Sequence, residues 1–193
     1  MYPIFEEGKG EGLGHSERDF YKRFIAICQE HLDNGRAKSF AIILYDIHHT
    51  AIQEIYRTPG SFAQLHLKSG NDITIFFLDS QNRRLLKKFN TAFLHAFDIK
   101  NKHSLPFILF FKIVEGDVSD IAVVELQQSK SMFAFKEIVD VVQLYLDKNS
   151  ASNETSKDNL KWLKGIKKVT NITLEKLIES VVSEGLNKLD KLF

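Results

Sequence analysis

Leu105-Pro106-Phe107-Ile108-Leu109-Phe110-Phe111-Lys112 is the stretch whose reading decides the fold. An apolar run this short, opened by proline and closed by lysine, reads as a strand buried on both faces. Proline is tolerated at the first residue of a strand and not in its middle. Glu115-Gly116-Asp117 then turns the chain, and Ile121-Ala122-Val123-Val124 is expected to return antiparallel as a hairpin. Two earlier stretches read as buried strands: Phe40 to Tyr45, a continuous apolar run, and Ile73 to Leu78, apolar but for Thr74. They end at Asp46 and Asp79, at the strand ends where α/β folds commonly bind ligands.

Helical periodicity fills the intervals. A helix is expected from Ser16 to Leu32, capped by Ser16, with Phe20, Phe24, Ile27 and Cys28 on one face and Asp33-Asn34-Gly35 as its stop. A second starts at Thr50, with Ile52, Ile55 and Tyr56 inward, and breaks at Pro59-Gly60. Residues 61–68 fit helix or strand, with helix favoured. A third spans Asn82 to Phe97, burying Leu85, Leu86, Phe89, Phe93 and Phe97. A fourth spans Met132 to Asp147, burying Phe135, Ile138, Val139, Val142 and Leu146.

The chain has 193 residues, 44% hydrophobic and 26% charged, which suits one domain with a sizeable core and excludes a disordered chain. With a net charge of +1, overall charge gives no argument for a nucleic-acid partner, and none is expected. The longest apolar run, Leu105 to Phe111, falls far short of the roughly 20 residues a transmembrane helix needs. No charged-then-apolar leader opens the sequence, so no secretory signal is expected. Cys28 is the only cysteine, which excludes internal disulfides, CxxC pairs and cysteine-rich zinc sites. A cytoplasmic protein without a cofactor or metal is the expectation.

The ends differ from the middle. Residues 1–15 read as a flexible leader in which Gly8, Gly10, Gly12 and Gly14 alternate with other residues. No Gly-Lys-Ser/Thr follows and no strand precedes them, so neither phosphate-binding fingerprint is met. Residues 16–148 form the domain, and 149–156, poor in core-forming side chains, read as a linker. Residues 157–193 carry two helical patterns. In the first, Lys157, Lys161, Lys164 and Lys168 share one stripe beside Leu160, Trp162, Leu163 and Ile166. In the second, Leu174, Leu177, Ile178, Val181, Val182 and Leu186 face one way. Such an extension can pack on its own domain, bind a second copy or another protein, or lie on an anionic membrane.

The order helix, strand, helix, strand, helix, strand, strand, helix over residues 16–148 resembles the thioredoxin-like fold. The resemblance is carried by Leu105 to Lys112, the Gly116 turn, Ile121 to Val124 and the last helix, with Ile73 to Asp79 as the preceding strand. Pro59 falls where the long thioredoxin helix is commonly kinked. The resemblance implies an α/β three-layer sandwich with a mixed four-stranded sheet, here with a C-terminal helical extension. It also implies a cis Leu105-Pro106 bond on a substrate-binding face.

Where thioredoxins carry Trp-Cys-x-x-Cys, this sequence has Tyr45-Asp46-Ile47-His48-His49-Thr50-Ala51. Without sulfur there, thiolate exchange cannot occur. Cys28 reads as a buried structural residue.

The expected function is a non-redox protein-interaction or adaptor module. Its partner, or a second copy, would bind through Tyr45, Thr50, Leu105 and Pro106 and through Lys157, Lys161, Trp162, Lys164, Lys168, Leu177 and Val181. One alternative is an enzyme using His48, His49 or Asp46 as acid–base groups on a glutathione-like or phosphorylated ligand. Another is peripheral membrane binding through residues 157–193. His48 and His49 point apart, and His66, His95 and His103 show no ligand spacing, so no metal site is expected. Arg83, Arg84, Lys87 and Lys88 cluster at the front of the third helix, where the helix dipole disfavours cations. A negative partner or a solvated face would each explain them.

Overall fold

The computed structural model describes residues 4–5, 24, 26, 29–30, 33, 38–58, 60–61, 65, 72–99, 104–127, 131–150, 172–173, 175–177, 179–180 and 183. Its core is a mixed sheet of four strands, β2 (Lys38–Leu44), β3 (Ile73–Asp79), β4 (Phe107–Val114) and β5 (Asp117–Glu125), in the order β3-β2-β4-β5. Strands β2 and β3 run parallel, joined through α1 (Thr50–Arg57). The chain then crosses through α2 (Arg83–Ala96), and β4 enters antiparallel beside β2. A hairpin brings β5 back along β4, and α3 (Ser131–Ser150) follows.

Uniformly apolar strands require cover on both faces, and helices provide it. Phe76 faces Phe24, which is itself helical and meets Phe93 of α2 edge-on. The next residue, Phe77, points to the opposite face and stacks on Tyr56 of α1 at 4.3 Å. Phe110 stacks on Tyr145 of α3 on that side, also at 4.3 Å. In the middle of the sheet, Phe40 lies between Phe76 and Phe111, with centroids at 6.2 and 5.2 Å.

The helix boundaries follow local chemistry. Helix α1 ends at Arg57, and Thr58 is extended (φ −77°, ψ 116°), as the residue before a proline tends to be. Ser61 and Leu65 are helical and buried, in line with a helix resuming beyond the break. Asn82 caps α2, its side chain accepting from the backbone N–H of Arg84 (3.0 Å) and Leu85 (3.2 Å). Asn82→Ala is expected to cost about 1 kcal/mol, read as a lower urea midpoint with unchanged slope.

Four sequence expectations need adjustment. Strand β4 starts at Phe107 rather than Leu105 and continues to Val114, while β5 spans Asp117–Glu125 rather than residues 121–124. The cause is the turn. Glu115 (φ 52°) and Gly116 (φ 85°) are both left-handed, the two-residue geometry that lets pairing run up to the turn. Residues 4–5 of the supposed leader form a short strand, β1 (Ile4–Phe5), parallel to Leu78 and Asp79. Helix α3 runs to Ser150, two residues into the supposed linker. The C-terminal extension is in part integral to the domain. Its strand β6 (Ile172–Thr173) pairs antiparallel with Val118 and Asp117, and Leu177 is 0% exposed within the core.

Cys28, Pro59, the glycines of residues 8–14, residues 151–156, Lys157, Lys161, Trp162, Lys164, Lys168 and Val181 lie outside the described residues. Among the described residues no helix is long and apolar enough to cross a membrane.

Candidate functional site

The ladder between β2 and β4 defines one end of the sheet. Leu44 is paired with Phe107, so the chain leaving β2 at Tyr45-Asp46 runs beside the chain entering β4 at Leu105-Pro106. The Leu105-Pro106 bond is cis. Phe107 is also paired with Glu125, which brings the end of β5 to the same place. The sequence-selected residues Tyr45, Asp46, His48, His49, Thr50, Leu105 and Pro106 therefore gather at one end of the molecule.

They do not all face outward. Tyr45 is 1% exposed, packed edge-on against Tyr56. Its hydroxyl donates to the Leu78 carbonyl at 2.7 Å and accepts from the Ser80 N–H at 3.3 Å. Tyr45 thus ties β2 to the end of β3, with its side chain buried rather than presented at the surface. A tyrosine ending an apolar run has a buried body and a tip that needs a partner, and here the adjacent strand supplies it. Pro106 is also buried, and its carbonyl accepts from the Leu126 N–H at 2.8 Å. It braces the corner after β5 instead of presenting itself. Leu177 is likewise covered by the domain's own core.

The Asp46–Thr50 segment is a turn closed on itself. The His49 N–H donates to the Asp46 carbonyl (3.1 Å) and the His48 N–H to Asp46 Oδ1 (2.8 Å). His49 Nδ1 lies 3.1 Å from the Asp46 backbone nitrogen and 2.9 Å from Asp46 Oδ1. One ring nitrogen cannot accept from the first and donate to the second at once. Either contact keeps Nδ1 engaged within the turn. Asp46 and His49 thus organise the start of α1, and His48 and Thr50 are exposed beside them.

Two supporting residues were not selected from sequence. Asn90, buried on α2, donates from Nδ2 to the Tyr45 carbonyl at 2.8 Å, pinning the exit of β2 from the opposite layer. Its position was readable, because a polar residue at i+4 from Leu86 and i−3 from Phe93 lies on the inward face of a helix. Gln53, also buried, donates from Nε2 to the Ile47 carbonyl at 3.4 Å.

No protein-family model matches the chain, and no curated protein or solved structure matches it. The surface at this end is assembled from Ile47, His48, Thr50, Ser104 and Leu105. Ile47 and Leu105 are half-buried apolar residues resting on the core. Phe133, 50% exposed, emerges from the first turns of α3 at the same end. It lies one turn before Glu137, whose carboxylate accepts from the Gln127 N–H at 2.9 and 3.0 Å. Among the described residues no group of three His, Cys, Asp or Glu side chains could hold a metal ion.

Proposed function

We propose that this chain is a non-redox, thioredoxin-like interaction module that takes a segment of a partner protein at the end of the sheet formed by residues 46–50 and 104–105. The observation that carries this reading is the pairing of Leu44 with Phe107. It sets the turn after the first central strand against the Leu105-Pro106 entry, the juxtaposition a thioredoxin-like binding face needs. The strand order and the helices on both faces support the same scaffold.

Two features favour binding over chemistry. Asp46 Oδ1 and His49 Nδ1 are engaged within the turn itself. The exposed surface alternates apolar Ile47 and Leu105 with polar His48, Thr50 and Ser104, the mixture found where an extended segment docks. The Lys-rich residues 157–168 add a second contact surface for a protein partner or second copy in this reading, whereas Leu177 is spent on the fold.

A disulfide-reduction assay tests the non-redox part. The full chain, with dithiothreitol and insulin, should precipitate the insulin chains no faster than dithiothreitol alone. Catalytic turnover would reject the proposal.

A further inference from the structure

Helix α2 carries its basic residues in an unusual place. Arg83, Arg84, Lys87 and Lys88 fall within one arc of about 140° at 100° per residue, opposite the buried stripe of Leu85, Leu86, Phe89 and Phe93. Arg83, Arg84 and Lys87 are exposed and Lys88 is partly so. The first turn holds no acidic residue, so these cations meet the positive end of the helix dipole uncompensated. They also repel one another, because 83/87 and 84/88 are like-charge pairs at i,i+4. Two lysines elsewhere are matched, Lys112 with Asp120 and Lys136 with Asp140. Among the described residues, none of the α2 cations has such a carboxylate.

We propose that this stripe is a docking surface for an acidic helix of a partner protein. Its two i,i+4 pairs are spaced about 6 Å along the axis, which matches carboxylates at the same interval on a facing helix. Arginine at its front provides a planar fork for carboxylates. A single-stranded nucleic acid would call for aromatic side chains to stack on bases, and a membrane for an apolar wedge beside the charges. The large exposed apolar residues among those described are Val114, at the hairpin, and Phe133, on α3 across the sheet, so neither borders the stripe. This inference stands on charge placement and does not rest on the binding face proposed above.

The test uses the full chain and its Arg83→Gln/Arg84→Gln/Lys87→Gln/Lys88→Gln variant at about 150 mM salt, where long-range attraction is screened. The probes are a helical peptide with glutamates at i,i+4, the same peptide with glutamines, poly(U) RNA and phosphatidylserine vesicles. The wild-type chain should bind the glutamate peptide about tenfold or more tightly than the glutamine peptide. The variant should lose that preference while melting at the same temperature or higher, because like-charge repulsion has been removed. Equal binding by both proteins, no binding of the glutamate peptide, or tighter binding to RNA or vesicles would each overturn the proposal.

Discussion

Leu177→Ala is expected to lower the free energy of unfolding by about 2–5 kcal/mol, the range for truncating a fully buried leucine that leaves a cavity. Leu177 is 0% exposed although it lies far along the sequence from the central strands. Two contacts place its segment on the domain and a third closes the segment on itself. Ile172–Thr173 pairs with β5, the Lys176 N–H donates to Thr173 Oγ1 at 3.3 Å, and Ser180 Oγ lies 3.2 Å from Nδ1 of His95 on α2. A docked segment should make the loss part of one cooperative transition. Glu179→Ala, exposed two residues on, should change stability by no more than about 0.5 kcal/mol. Urea unfolding followed by far-ultraviolet circular dichroism reads both. If Leu177→Ala were as mild as Glu179→Ala, the segment would not be part of the domain.

Phe40→Ala should be at least as severe, at about 3–5 kcal/mol. Phe40 sits in the central strand, 0% exposed, with Phe76 and Phe111 stacked on either side. Removing its ring strips both neighbours of a contact and leaves a void that rigid, paired strands cannot close. Phe133→Ala, at a half-exposed site of α3, is the matched control and should stay within about 0.5 kcal/mol. A Phe40→Ala cost under about 1 kcal/mol would place Phe40 outside a packed core.

The central sheet was legible because each of its strands carries a largely apolar stretch with turn residues near its ends. Glu115-Gly116 marked the hairpin, and the apolar stripe of α2 matched its buried face, whereas on α3 Ile138, Val142 and Leu146 are buried, Phe135 and Val139 only partly so, and Ala134 and Tyr145 are buried beside them. What could not be read is decided by tertiary partners. Ile4-Phe5 is too short to carry a period, and it becomes a strand because the edge of β3 is there to pair with it. Leu177 looked available because an amphipathic pattern says that a face is covered, not by what. Tyr45 looked like a site residue because of its place beside Asp46, and its burial depends on Leu78 and Ser80, more than thirty residues away. For the site, sequence selected residues that the fold gathers at one end of the sheet, and it did not show that Tyr45 and Pro106 among them are buried. Asp46 and His49 were readable as turn residues, but their mutual engagement through Nδ1 depends on the closed geometry of the turn.

The central claim is that a partner segment binds where the exit of β2 meets the entry of β4. The direct measurement is amide chemical-shift mapping of the ¹⁵N-labelled full chain with neutral peptides selected against it from a display library. The expected shifts fall on Ile47, His48, Thr50, Ser104 and Leu105, with the Glu115-Gly116 hairpin at the opposite end of the sheet unmoved. Peptides that shift the hairpin or α2 while residues 46–50 and 104–105 stay still would contradict it.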